Sequence, residues 1–595
     1  MQPELGDAID KLSPFLEVVA FASGAIIFRE DEPTDSFFVI DRGDVRLEVH
    51  SDEIDSDGIL AFIGAGALLG ELGALTGAAR SATAIAHTDV QARRMSLDTI
   101  EMLYRSRPVE GLTVARLLGQ AAAQRVRAVN ERFEEHLFAD QSDPVVDAMV
   151  ARAVSAQRAF SSWEEKPLDA LLYDLAKTVA DHADELAAAT IAETSIGRVE
   201  DKAEKILFGS LGVYATLAGL TASGQVSVDD EREVADYASP MGVVFAMAPV
   251  TEPVSTFVNK VLIALKGRNA LILSPHRASA GTASAADDLM QRVLGSHGAP
   301  DGIVQLVRDR TSRQRTARFM RHPDVSVILA TGGPAMVKAA YSSGTPALGV
   351  GAGNAPVWIC PDADMEAVAA CVVDSKAYDN GLICGAEQHL VVDVTVIDGL
   401  VAALEDAGAA VLDRTQTEAF VAKAFLRGGR LKAHHIGRAA TEIAAATELD
   451  VPEGTRLIVI TGDPARAEGA YATERLAPIV TLYATDGDDM AIALCGALLE
   501  HEGAGHTAVI HTDDEDRIER FAQAMPASRI LVSVPASQGC GGAATGLNPS
   551  MTLGCGTFGG TATTDNVGFR NLVNVKRVAR MNFTNALNAR RLSSQ

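Results

Sequence analysis

The sequence predicts a small β-rich domain followed by a large α/β domain built on a parallel sheet. Short alternating apolar runs, separated by Gly, Asp and Pro, fill roughly the first 100 residues and are typical of strands. The pattern is helical from Val145 to about Ala222, and beyond Tyr237 apolar strands alternate with helical stretches. This alternation is typical of βαβ units, which build parallel sheets. The 595 residues allow three to five structural units at about 150 residues per domain.

Three strands are predicted near the N-terminus. They are Ala25–Phe28, Phe37–Ile40 and Val45–Val49, short apolar runs bounded by turn residues. The residues Asp41-Arg42-Gly43-Asp44 stand between the last two strands. Because these residue types favour tight turns, we expect a hairpin there.

Helices are predicted after these strands. The stretch Ser96–His136 has a helical pattern, with a break expected at Pro108 because proline cannot continue a helix. The polar segment 140–144 is the expected domain boundary. Its last two residues, Asp143 and Pro144, suit a helix N-cap followed by a proline in the first helical position.

The large domain opens with core-sized strands rather than membrane segments. Val243–Ala246 and Ala270–Leu273 flank the helical stretch Ser255–Leu265. No apolar run reaches the ~18 residues that a membrane-spanning helix needs. The first residues, Met1–Lys11, show neither the basic nor the apolar region of an export signal. We therefore expect a cytoplasmic protein with no membrane partner.

Charge and cysteine content exclude several classes of protein. The chain has 52 basic and 78 acidic residues, a formal net charge of −26. This balance argues against nucleic acid as a partner, because phosphate binding needs a cationic face. The six cysteines lie between Cys360 and Cys555 without a Cys-x-x-Cys pair, so neither a disulfide scaffold nor a metal site is predicted. A large intracellular enzyme remains.

One glycine-rich stretch of the small domain has the residues of an anion site. Gly70-Glu71-Leu72-Gly73 offers backbone N–H groups, and Arg80 adds a cation suited to phosphate oxygens. Glu71 can accept a hydrogen bond from a ribose hydroxyl. The spacing alone is equally consistent with an ordinary surface loop.

The segment from Gly24 to Val90 resembles the cyclic nucleotide-binding domain of the catabolite activator protein and of cyclic nucleotide-dependent kinases. The resemblance rests on the Gly24 turn, the strand ending in Arg42-Gly43, and the phosphate-binding cassette. It implies a β-roll with C-terminal helices, in which Glu71 holds the ribose and Arg80 the cyclic phosphate of cyclic AMP or cyclic GMP. The cassette residues are Gly70, Glu71, Leu72, Arg80 and Ser81.

In the large domain, Cys384 stands out from the other cysteines. It follows Asp379-Asn380-Gly381, a turn-forming run, and has polar neighbours, whereas Cys360, Cys371 and Cys495 lie in apolar or helical surroundings. A reactive thiolate needs partial exposure and nearby dipoles or cations, which a turn entering a helix would offer. Taken alone, a single cysteine is more often structural than catalytic.

From about Glu193 to Arg577 the chain resembles the acylating, coenzyme A-dependent aldehyde dehydrogenases, and especially the aldehyde dehydrogenase half of the bifunctional aldehyde–alcohol dehydrogenases. The motifs that carry this resemblance, in family order, are Val199–Lys202, Pro249–Thr256, Arg268–His276, Ala330–Gly344, Gly349–Asn354, Ser375–Gln388, Glu474–Pro478, Gly505–Thr507 and Leu553–Gly560. The resemblance implies an α/β aldehyde dehydrogenase fold, with a Rossmann-like cofactor domain and a catalytic α/β domain.

The resemblance also implies the chemistry. Cys384 would attack an aldehyde, pass a hydride to NAD, or to NADP, and hand the resulting acyl group to coenzyme A. Hydrolytic members use a glutamate where this chain has Gly349–Asn354, a run without a carboxylate. The missing base favours acyl transfer to a thiol over hydrolysis.

Further residues receive roles from the family. His506 would assist proton transfer, although a structural histidine is the alternative, and Glu474 would hold the nicotinamide ribose unless it is a helix-surface charge. The expected cofactor-binding residues are Ser274, His276, Thr331, Gly332, Gly333 and Glu474. Glu252 departs from the asparagine usual in the family, which helps to hold the oxyanion, so we expect altered rate or aldehyde specificity.

The sequence therefore predicts an acylating aldehyde dehydrogenase regulated by a cyclic nucleotide. The expected divisions are 1–139 for the cyclic nucleotide-binding-like domain and its helices, 145–375 for cofactor binding, 376–510 for catalysis, and 511–595 for the return to the cofactor domain, an oligomerisation segment and a tail. Acetaldehyde, propionaldehyde and sulfoacetaldehyde remain open as substrates, and a homo-oligomer is expected. The alternatives are a sensor or scaffold with impaired catalysis and a hydrolytic aldehyde dehydrogenase.

Overall fold

The computed structural model describes residues 9, 11–51, 56–137, 143–308, 312–426 and 429–581. The chain divides into two compact units: residues 1–140 with 426–428, and residues 141–425 with 429–595. Two sequence-based expectations lie outside the described residues. They are most of the 140–144 boundary segment and the part of the expected C-terminal tail that follows Met581.

The first unit contains two antiparallel sheets followed by helices. Its strands are β1 (Glu17–Phe21), β2 (Ile26–Phe28), β3 (Ser36–Arg42), β4 (Val45–Ser51), β5 (Ser56–Ile63), β6 (Leu68–Leu69), β7 (Thr83–Ala86) and β8 (Val90–Ser96). Its helices are α1 (Glu71–Thr76), α2 (Leu97–Ser106) and α3 (Pro108–Leu137). The sheet orders are β1-β8-β3-β6 and β2-β7-β4-β5.

The predicted hairpin at Asp41–Asp44 is wrong. β3 and β4 belong to different sheets, so the turn between them is a crossover and not a hairpin. Gly43, with φ +88°, turns the chain there, and a side chain at this position would overlap the carbonyl oxygen of Asp89. The turn residues were recognised correctly, but local sequence does not tell which sheet the next strand joins.

The second unit begins with helices and continues as alternating strands and helices. Its helices are α4 (Pro144–Phe160), α5 (Glu165–Asp181), α6 (Ala183–Thr194), α7 (Val199–Leu207), α8 (Val213–Leu217), α9 (Pro253–Lys266), α10 (Ala280–Ser296), α11 (Arg313–Arg321), α12 (Pro334–Tyr341), α13 (Met365–Ala377), α14 (Ile397–Asp406), α15 (Arg414–Ala424), α16 (Ala440–Ala446), α17 (Asp488–His501), α18 (Glu515–Ala524) and α19 (Ala536–Gly539). Its strands are β9 (Gly224–Asp229), β10 (Val234–Pro240), β11 (Val243–Met247), β12 (Ala270–Ser274), β13 (Val304–Leu306), β14 (Val325–Thr331), β15 (Ala347–Val350), β16 (Ala355–Ile359), β17 (Glu387–Asp393), β18 (Ala409–Val411), β19 (Leu457–Thr461), β20 (Ile479–Thr485), β21 (Gly505–His511), β22 (Ala527–Val532) and β23 (Val573–Ala579).

Helix α4 starts as the sequence predicts. The Asp143 carboxylate accepts hydrogen bonds from the backbone N–H groups of Val145 (3.0 Å) and Val146 (3.4 Å), and Pro144 occupies the first helical position. The cap satisfies donors that the first helical turn leaves free.

A five-stranded parallel sheet forms the first half of this unit. Its order is β13-β12-β11-β14-β15, and each neighbouring pair is parallel, as the alternation of strands and helices predicts. After β11, the strands β12 and β13 are added on one side of it. The chain then returns to the other side of β11, where it adds β14 and β15. The carboxyl ends of β11 and β14 therefore flank the crevice in which Rossmann-like sheets bind nucleotides. All fourteen residues of α9, which follows β11, are buried.

A seven-stranded parallel sheet of order β18-β19-β20-β17-β16-β21-β22 forms the second half. Its first strand in the chain, β16, starts at Ala355, so the boundary expected between 375 and 376 lies too late. The motif around Cys384 guided that boundary, whereas the sheet already starts with the preceding βα unit. The segment 511–595 was expected to return to the cofactor domain. Its strand β22 instead pairs with β21 and completes the seven-stranded sheet before the chain returns to the first half.

A three-stranded antiparallel sheet of order β23-β10-β9 is largely exposed. Both outer strands present apolar side chains to solvent, among them Val226, Val228, Val575 and Val578. Among the described helices, none combines the length and the apolar character required to cross a bilayer.

Candidate active site

The catalytic candidates lie at the amino ends of three neighbouring strands. Cys384 comes shortly before β17, Gly353 and Asn354 come directly before β16, and His506 is the second residue of β21. β17, β16 and β21 are adjacent and parallel, so their amino ends share one edge of the sheet. The topology thereby joins residues that are far apart in the sequence.

Cys384 and His506 form a direct pair. The Cys384 Sγ is 3.2 Å from His506 Nε2, and His506 Nδ1 is 2.9 Å from the Thr507 Oγ1. When Nδ1–H donates to Thr507, the Nε2 lone pair faces the thiol, as a general base requires. Both expected catalytic residues therefore lie together.

The resting pair is uncharged. Burial raises the pKa of the Cys384 thiol well above its usual value, and neighbouring acidic groups, including Cys540 and Glu252, add to the increase. Burial and the charge of Arg529 hold the pKa of His506 well below its usual range. At neutral pH the site therefore holds a thiol beside a neutral imidazole, and not a preformed thiolate.

Cys384 lies in a turn that enters strand β17, whereas the sequence suggested a turn entering a helix. α13 ends at Ala377, and Asp379 and Asn380 then adopt left-handed backbone conformations, with φ of 46° and 53°. These conformations stop the helix before Cys384. No helix N-terminus is therefore directed at the thiol from its own segment.

The loop before β16 lies directly against the Cys384 backbone. A side-chain carbon at Gly353 would overlap the carbonyl oxygen of Cys384. Only glycine allows this approach. Within the same loop, a side-chain carbon at Gly351 would have only Cys555 Sγ in contact, at 4.0 Å.

A buried ion cluster holds the segment that leads to Cys384. The Asp379 Oδ2 accepts hydrogen bonds from Lys202 Nζ (2.9 Å) and Lys205 Nζ (2.7 Å), both on α7. Its Oδ1 accepts one from the backbone N–H of Arg198 (2.7 Å). The Asp379 side chain is fully buried, so α7 fixes the nucleophile's segment through one carboxylate.

Glu474 lies in a loop beside the nucleophile and not on a helix surface. Its Oε1 accepts a hydrogen bond from the Gly353 N–H (3.0 Å), and its own N–H donates to Glu502 Oε2 (2.8 Å). Burial raises the pKa of Glu474 to about 8, although the bond from Gly353 acts in the opposite direction. The carboxyl group is therefore mostly protonated at neutral pH.

A chain of hydrogen bonds supports this loop from behind. Arg475 Nη2 is 3.2 Å from His389 Nδ1, and His389 Nε2 is 2.8 Å from Asn354 Oδ1. The Asn354 amide donates to the carbonyl groups of Ala472 (2.7 Å) and Leu498 (3.1 Å). Burial and the charge of Arg475 keep the pKa of His389 well below its usual range, so the neutral ring accepts from Arg475 and donates to Asn354.

Except for Glu474, the expected cofactor residues lie along the carboxyl edge of the five-stranded sheet. Ser274 ends β12 and His276 follows it, while Thr331 ends β14 and the two glycines Gly332 and Gly333 lead into α12. A side-chain carbon at Gly333 would meet no atom within 4 Å, so this position borders open space. An open glycine at this crevice fits a dinucleotide that approaches the backbone closely.

Lys260, which the sequence analysis missed, lies at the centre of that crevice. Its Nζ donates to the carbonyl groups of Met247 (2.5 Å) and Leu329 (3.1 Å) and to Thr331 Oγ1 (2.9 Å). Burial lowers the pKa of Lys260 to about 7. The lysine thereby joins the carboxyl ends of β11 and β14 below the expected cofactor.

Cys384 faces a partly open cavity of about 80 Å³. Its lining includes Glu252, the residue before α9, which accepts a hydrogen bond from Lys205 Nζ at 2.9 Å. Glu252 is therefore a wall of the nucleophile's cavity, and as an ion-paired carboxylate it offers no hydrogen bond to an oxyanion. The residues that line the cavity are Glu204, Lys205, Phe208, Glu252, Tyr378, Ile383, Cys384, Ser537, Gln538, Cys540, Gly541, Ala543, Ser550, Met551 and Leu553.

The first unit has its own candidate site around Arg80. The Arg80 Nη2 donates to Asp35 Oδ1 (2.9 Å), and the guanidinium lies 4.1 Å from the Phe28 ring centre. In the described part of the chain, its Nε and Nη1 are buried without a hydrogen-bond acceptor. A side-chain carbon at Gly70 would overlap Nη1, so the two parts of the cassette meet.

The other cassette residues do not line the cavity next to Arg80, as far as the described residues show. Arg80 lines an open cavity of about 890 Å³, together with Asp35 and Arg94. Glu71 is buried at the start of α1, and Ser81 is exposed. Gly70, Glu71, Leu72 and Ser81 are not among the described residues lining that cavity.

The sequence indicated the candidate residues Cys384 and His506 but not most of the residues that support them. Lys202 and Lys205 are three residues apart on one helix face, a spacing that could have signalled a shared partner such as Asp379. The link from Arg475 through His389 to Asn354 joins three distant segments and has no local pattern. Lys260 lies in a helix made mostly of apolar and small residues, a composition typical of a core helix.

Comparison with known proteins agrees with this architecture. Residues 129–566 match the aldehyde dehydrogenase family, and residues 18–107 match the cyclic nucleotide-binding domain. The chain is 38% identical over 441 residues to the bifunctional aldehyde-alcohol dehydrogenase AdhE of Escherichia coli (strain K12), covering 73% of this chain and 49% of AdhE. It therefore spans about half the length of that curated relative.

Two further relatives are matched over nearly their whole length. The chain is 33% identical over 437 residues to the succinate-semialdehyde dehydrogenase (acetylating) of Clostridium kluyveri, covering 73% of this chain and 96% of that enzyme. The crystal structure of an acetylating aldehyde dehydrogenase from Geobacillus thermoglucosidasius superposes with a TM-score of 0.71 at 36% identity, covering 73% and 96% of the two chains. The chain belongs to the aldehyde dehydrogenase family, its relatives include acylating members, and it carries a cyclic nucleotide-binding domain ahead of the dehydrogenase region.

Proposed function

We propose that this protein oxidises a short aldehyde with NAD and coenzyme A to an acyl-coenzyme A, or catalyses the reverse reaction, under control of a cyclic nucleotide. The observation that carries the proposal is the Cys384–His506 pair, with Sγ and Nε2 3.2 Å apart, where Cys384 lines a partly open cavity. The acetylating activity named for two of the relatives supports the same reaction class.

The residues present account for the proton and acyl steps. The Cys384 sulfur adds to the aldehyde carbon, while His506 Nε2 takes the thiol proton and returns it to the new hydroxyl oxygen. Loss of hydride from that carbon and of the hydroxyl proton, through His506 Nε2 to solvent, leaves the acyl group on Cys384 as a thioester. When an incoming thiol displaces the acyl group, the Cys384 thiol is restored and His506 takes the proton of the attacking thiol.

Two bound groups complete the reaction. The nicotinamide supplies the hydride acceptor, and coenzyme A supplies the thiol. Ser274, His276, Thr331, Gly332, Gly333 and Glu474 are the residues that would hold the dinucleotide, and the open space at Gly333 fits it. NAD is proposed first, with NADP as the alternative.

The site favours a thiol over water as the acyl acceptor. The loop Gly349–Asn354 has no carboxylate to activate water. Glu474 contacts that loop through Gly353, but with its pKa raised to about 8 by burial it is mostly protonated at pH 7 and is a poor base in the resting site. The neutral His506 remains as the base next to Cys384.

The first unit supports a regulatory role. Two donors of a buried guanidinium, Arg80 Nε and Nη1, have no acceptor among the described residues, and a cyclic phosphate would supply one. We propose cyclic AMP as the effector, with cyclic GMP as the alternative. The exposed apolar edges of the β23-β10-β9 sheet are a suitable surface for a homo-oligomer.

The decisive experiment is turnover of the full-length chain with acetaldehyde, propionaldehyde and butyraldehyde, followed by absorbance of the reduced nicotinamide. We expect activity that requires both NAD and coenzyme A and that disappears in Cys384→Ala. Turnover without coenzyme A would show a hydrolytic enzyme. Absence of turnover with every aldehyde and both nicotinamide cofactors would favour a sensor or scaffold.

A further inference from the structure

One wall of the Cys384 cavity carries a cation that is already fully engaged. Among the described lining residues Lys205 is the only cation, and its side chain is 4% exposed. Its Nζ donates to Glu252 Oε1 (2.9 Å) and to Asp379 Oδ2 (2.7 Å). Two carboxylates therefore neutralise the one positive group that an anionic substrate could approach.

The buried charges of this wall cancel, and the exposed rim adds one negative charge. Lys202 and Lys205 are balanced by Asp379 and Glu252, and Glu204 at the exposed rim adds one further negative charge. Burial alone would lower the pKa of Lys205, but Asp379 and Glu252 outweigh it and raise the pKa, so the lysine stays charged and paired. A third carboxylate would find no unpaired cation among the described lining residues, because Arg529, whose charge also acts on Cys384, lies outside the lining and donates to backbone carbonyl groups.

The remaining lining is neutral. Phe208, Ile383, Met551 and Leu553 offer apolar contact, and Gln538 and Ser550 offer neutral hydrogen-bonding groups. Such a surface accommodates a hydrocarbon or hydroxylated tail and gives no compensation for burying a charge. Charge selection therefore depends on the Lys205–Glu252 pair.

We propose that Glu252 is a specificity-determining residue that makes this cavity accept uncharged short aldehydes and reject aldehydes with a carboxylate or sulfonate tail. The proposal rests on the proposed function and names its substrate class. It also predicts that the same electrostatic barrier acts on any small anion that must reach Cys384, whether or not that molecule is a substrate.

The first test uses two alkylating reagents that differ in charge. Full-length protein is treated with iodoacetate or iodoacetamide, and carboxymethylation or carbamidomethylation of Cys384 is followed by mass spectrometry, with N-acetylcysteine as the reference thiol. Relative to that reference, we expect iodoacetate to be disfavoured by about tenfold or more, because the only lining lysine is already paired and the cavity gives no compensation for burying a carboxylate. Glu252→Gln should remove most of this bias.

Matched variants separate charge from shape. Glu252→Asp keeps the charge and should keep the bias, whereas Glu204→Gln, at the solvated rim, should change it less than about threefold because solvent screens exposed charges. An iodoacetate-to-iodoacetamide ratio equal to that of N-acetylcysteine, or a ratio unchanged in Glu252→Gln, would overturn the proposal. This readout does not depend on turnover.

The second test uses two four-carbon aldehydes that differ by a terminal carboxylate. With NAD and coenzyme A, we expect kcat/KM for butyraldehyde to exceed that for succinate semialdehyde by about 100-fold, since a specificity of this size follows from one unfavourable buried charge. Glu252→Gln should reduce the ratio at least about tenfold. Similar kcat/KM values in the parent chain would refute the proposal, whereas inactivity with both aldehydes together with the expected alkylation bias would refute the proposed function alone.

Discussion

The thiol of Cys384, the proposed nucleophile, is kept neutral by its surroundings. Many cysteine enzymes lower the thiol pKa with a nearby cation or a helix N-terminus. Here burial raises the pKa of Cys384, and the partner His506 is itself neutral because burial and Arg529 lower its pKa. The proton must therefore leave the sulfur during the reaction and not before it.

The pH dependence of Cys384 alkylation follows from this arrangement. A raised pKa means that the thiolate fraction at neutral pH is small. As long as the pH stays below the pKa, this fraction grows about tenfold for each unit by which the pH increases. We expect the rate of carbamidomethylation by iodoacetamide to climb steadily from pH 7 to pH 9, measured by quenched mass spectrometry. A plateau starting below pH 8 would instead show a preformed thiolate–imidazolium pair.

At the scale of elements, the loop between β15 and β16 fixes the position of the nucleophile. Gly353 lies against the carbonyl of Cys384 and donates to Glu474, so one residue contacts both the nucleophile and a candidate cofactor residue. Its position depends on Asn354, which His389 and Arg475 hold from behind.

Replacement of Gly353 by alanine should therefore displace Cys384. The added carbon cannot fit without moving the backbone, and a shift of about 1 Å can cost about 100-fold in rate. We expect kcat to fall by about that factor in Gly353→Ala. In the same loop Gly351→Ala has room for its methyl group and should keep activity within about threefold, because no contact is closer than 4.0 Å. Equal losses in both variants would contradict this role.

Asp379 provides a second test at this scale, through stability. Removing its charge leaves Lys202 and Lys205 buried with one carboxylate fewer, and breaking such a pair costs about 3–5 kcal/mol. Asp379→Asn should therefore lower the free energy of unfolding of the dehydrogenase unit by about that amount. Urea unfolding followed by tryptophan fluorescence measures this unit selectively, because both tryptophans, Trp163 and Trp358, lie in it.

A surface pair serves as the control for Asp379. Asp181 forms an exposed ion pair with Lys177 one helical turn away, so Asp181→Asn should leave the unfolding midpoint nearly unchanged. An equally small effect of Asp379→Asn would show that the buried cluster does not stabilise the unit.

The sequence predicted the parts of the site that have local patterns. The alternation of strands and helices predicted the parallel sheet, and family motifs located Cys384 and His506, which the structure brings within 3.2 Å. Supports such as His389 and Asn354 could not be predicted, because their contact arises only when distant strands align. The hairpin predicted around Gly43 was wrong for the same reason, because a turn motif does not specify which sheet the next strand joins.

At the scale of the whole molecule, one acidic polypeptide chain contains both a candidate sensor unit and a dehydrogenase unit. A ligand can regulate the enzyme only if it binds the active and inactive arrangements with different affinity. The buried guanidinium of Arg80, with two donors available, is the feature of the first unit best suited to bind such a ligand.

Nucleotide binding and its effect on turnover can be measured separately, with Arg80→Ala testing binding and the parent chain testing the effect on turnover. Loss of charge-assisted hydrogen bonds should weaken cyclic AMP binding about 30- to 150-fold by calorimetry, corresponding to about 2–3 kcal/mol. In the parent chain, saturating nucleotide should change aldehyde turnover by about 5- to 150-fold. Arg105→Ala, at an exposed position of α2, should leave both quantities unchanged.

Two results would contradict the regulatory role. If neither cyclic AMP nor cyclic GMP binds below millimolar concentration, the first unit is structural. If one nucleotide binds tightly and the rate of turnover does not change, the unit senses a ligand without controlling the dehydrogenase.

The protonated state of Cys384 also bears on how long the protein keeps its activity in an oxidising cell. Peroxides attack thiolates far faster than thiols, so cysteines with a low pKa are oxidised first. Because burial raises the pKa of Cys384, the idle enzyme should lose activity to hydrogen peroxide only slowly. The thiol would be most vulnerable during turnover, when His506 withdraws its proton, so oxidative damage should accumulate with use and not with time.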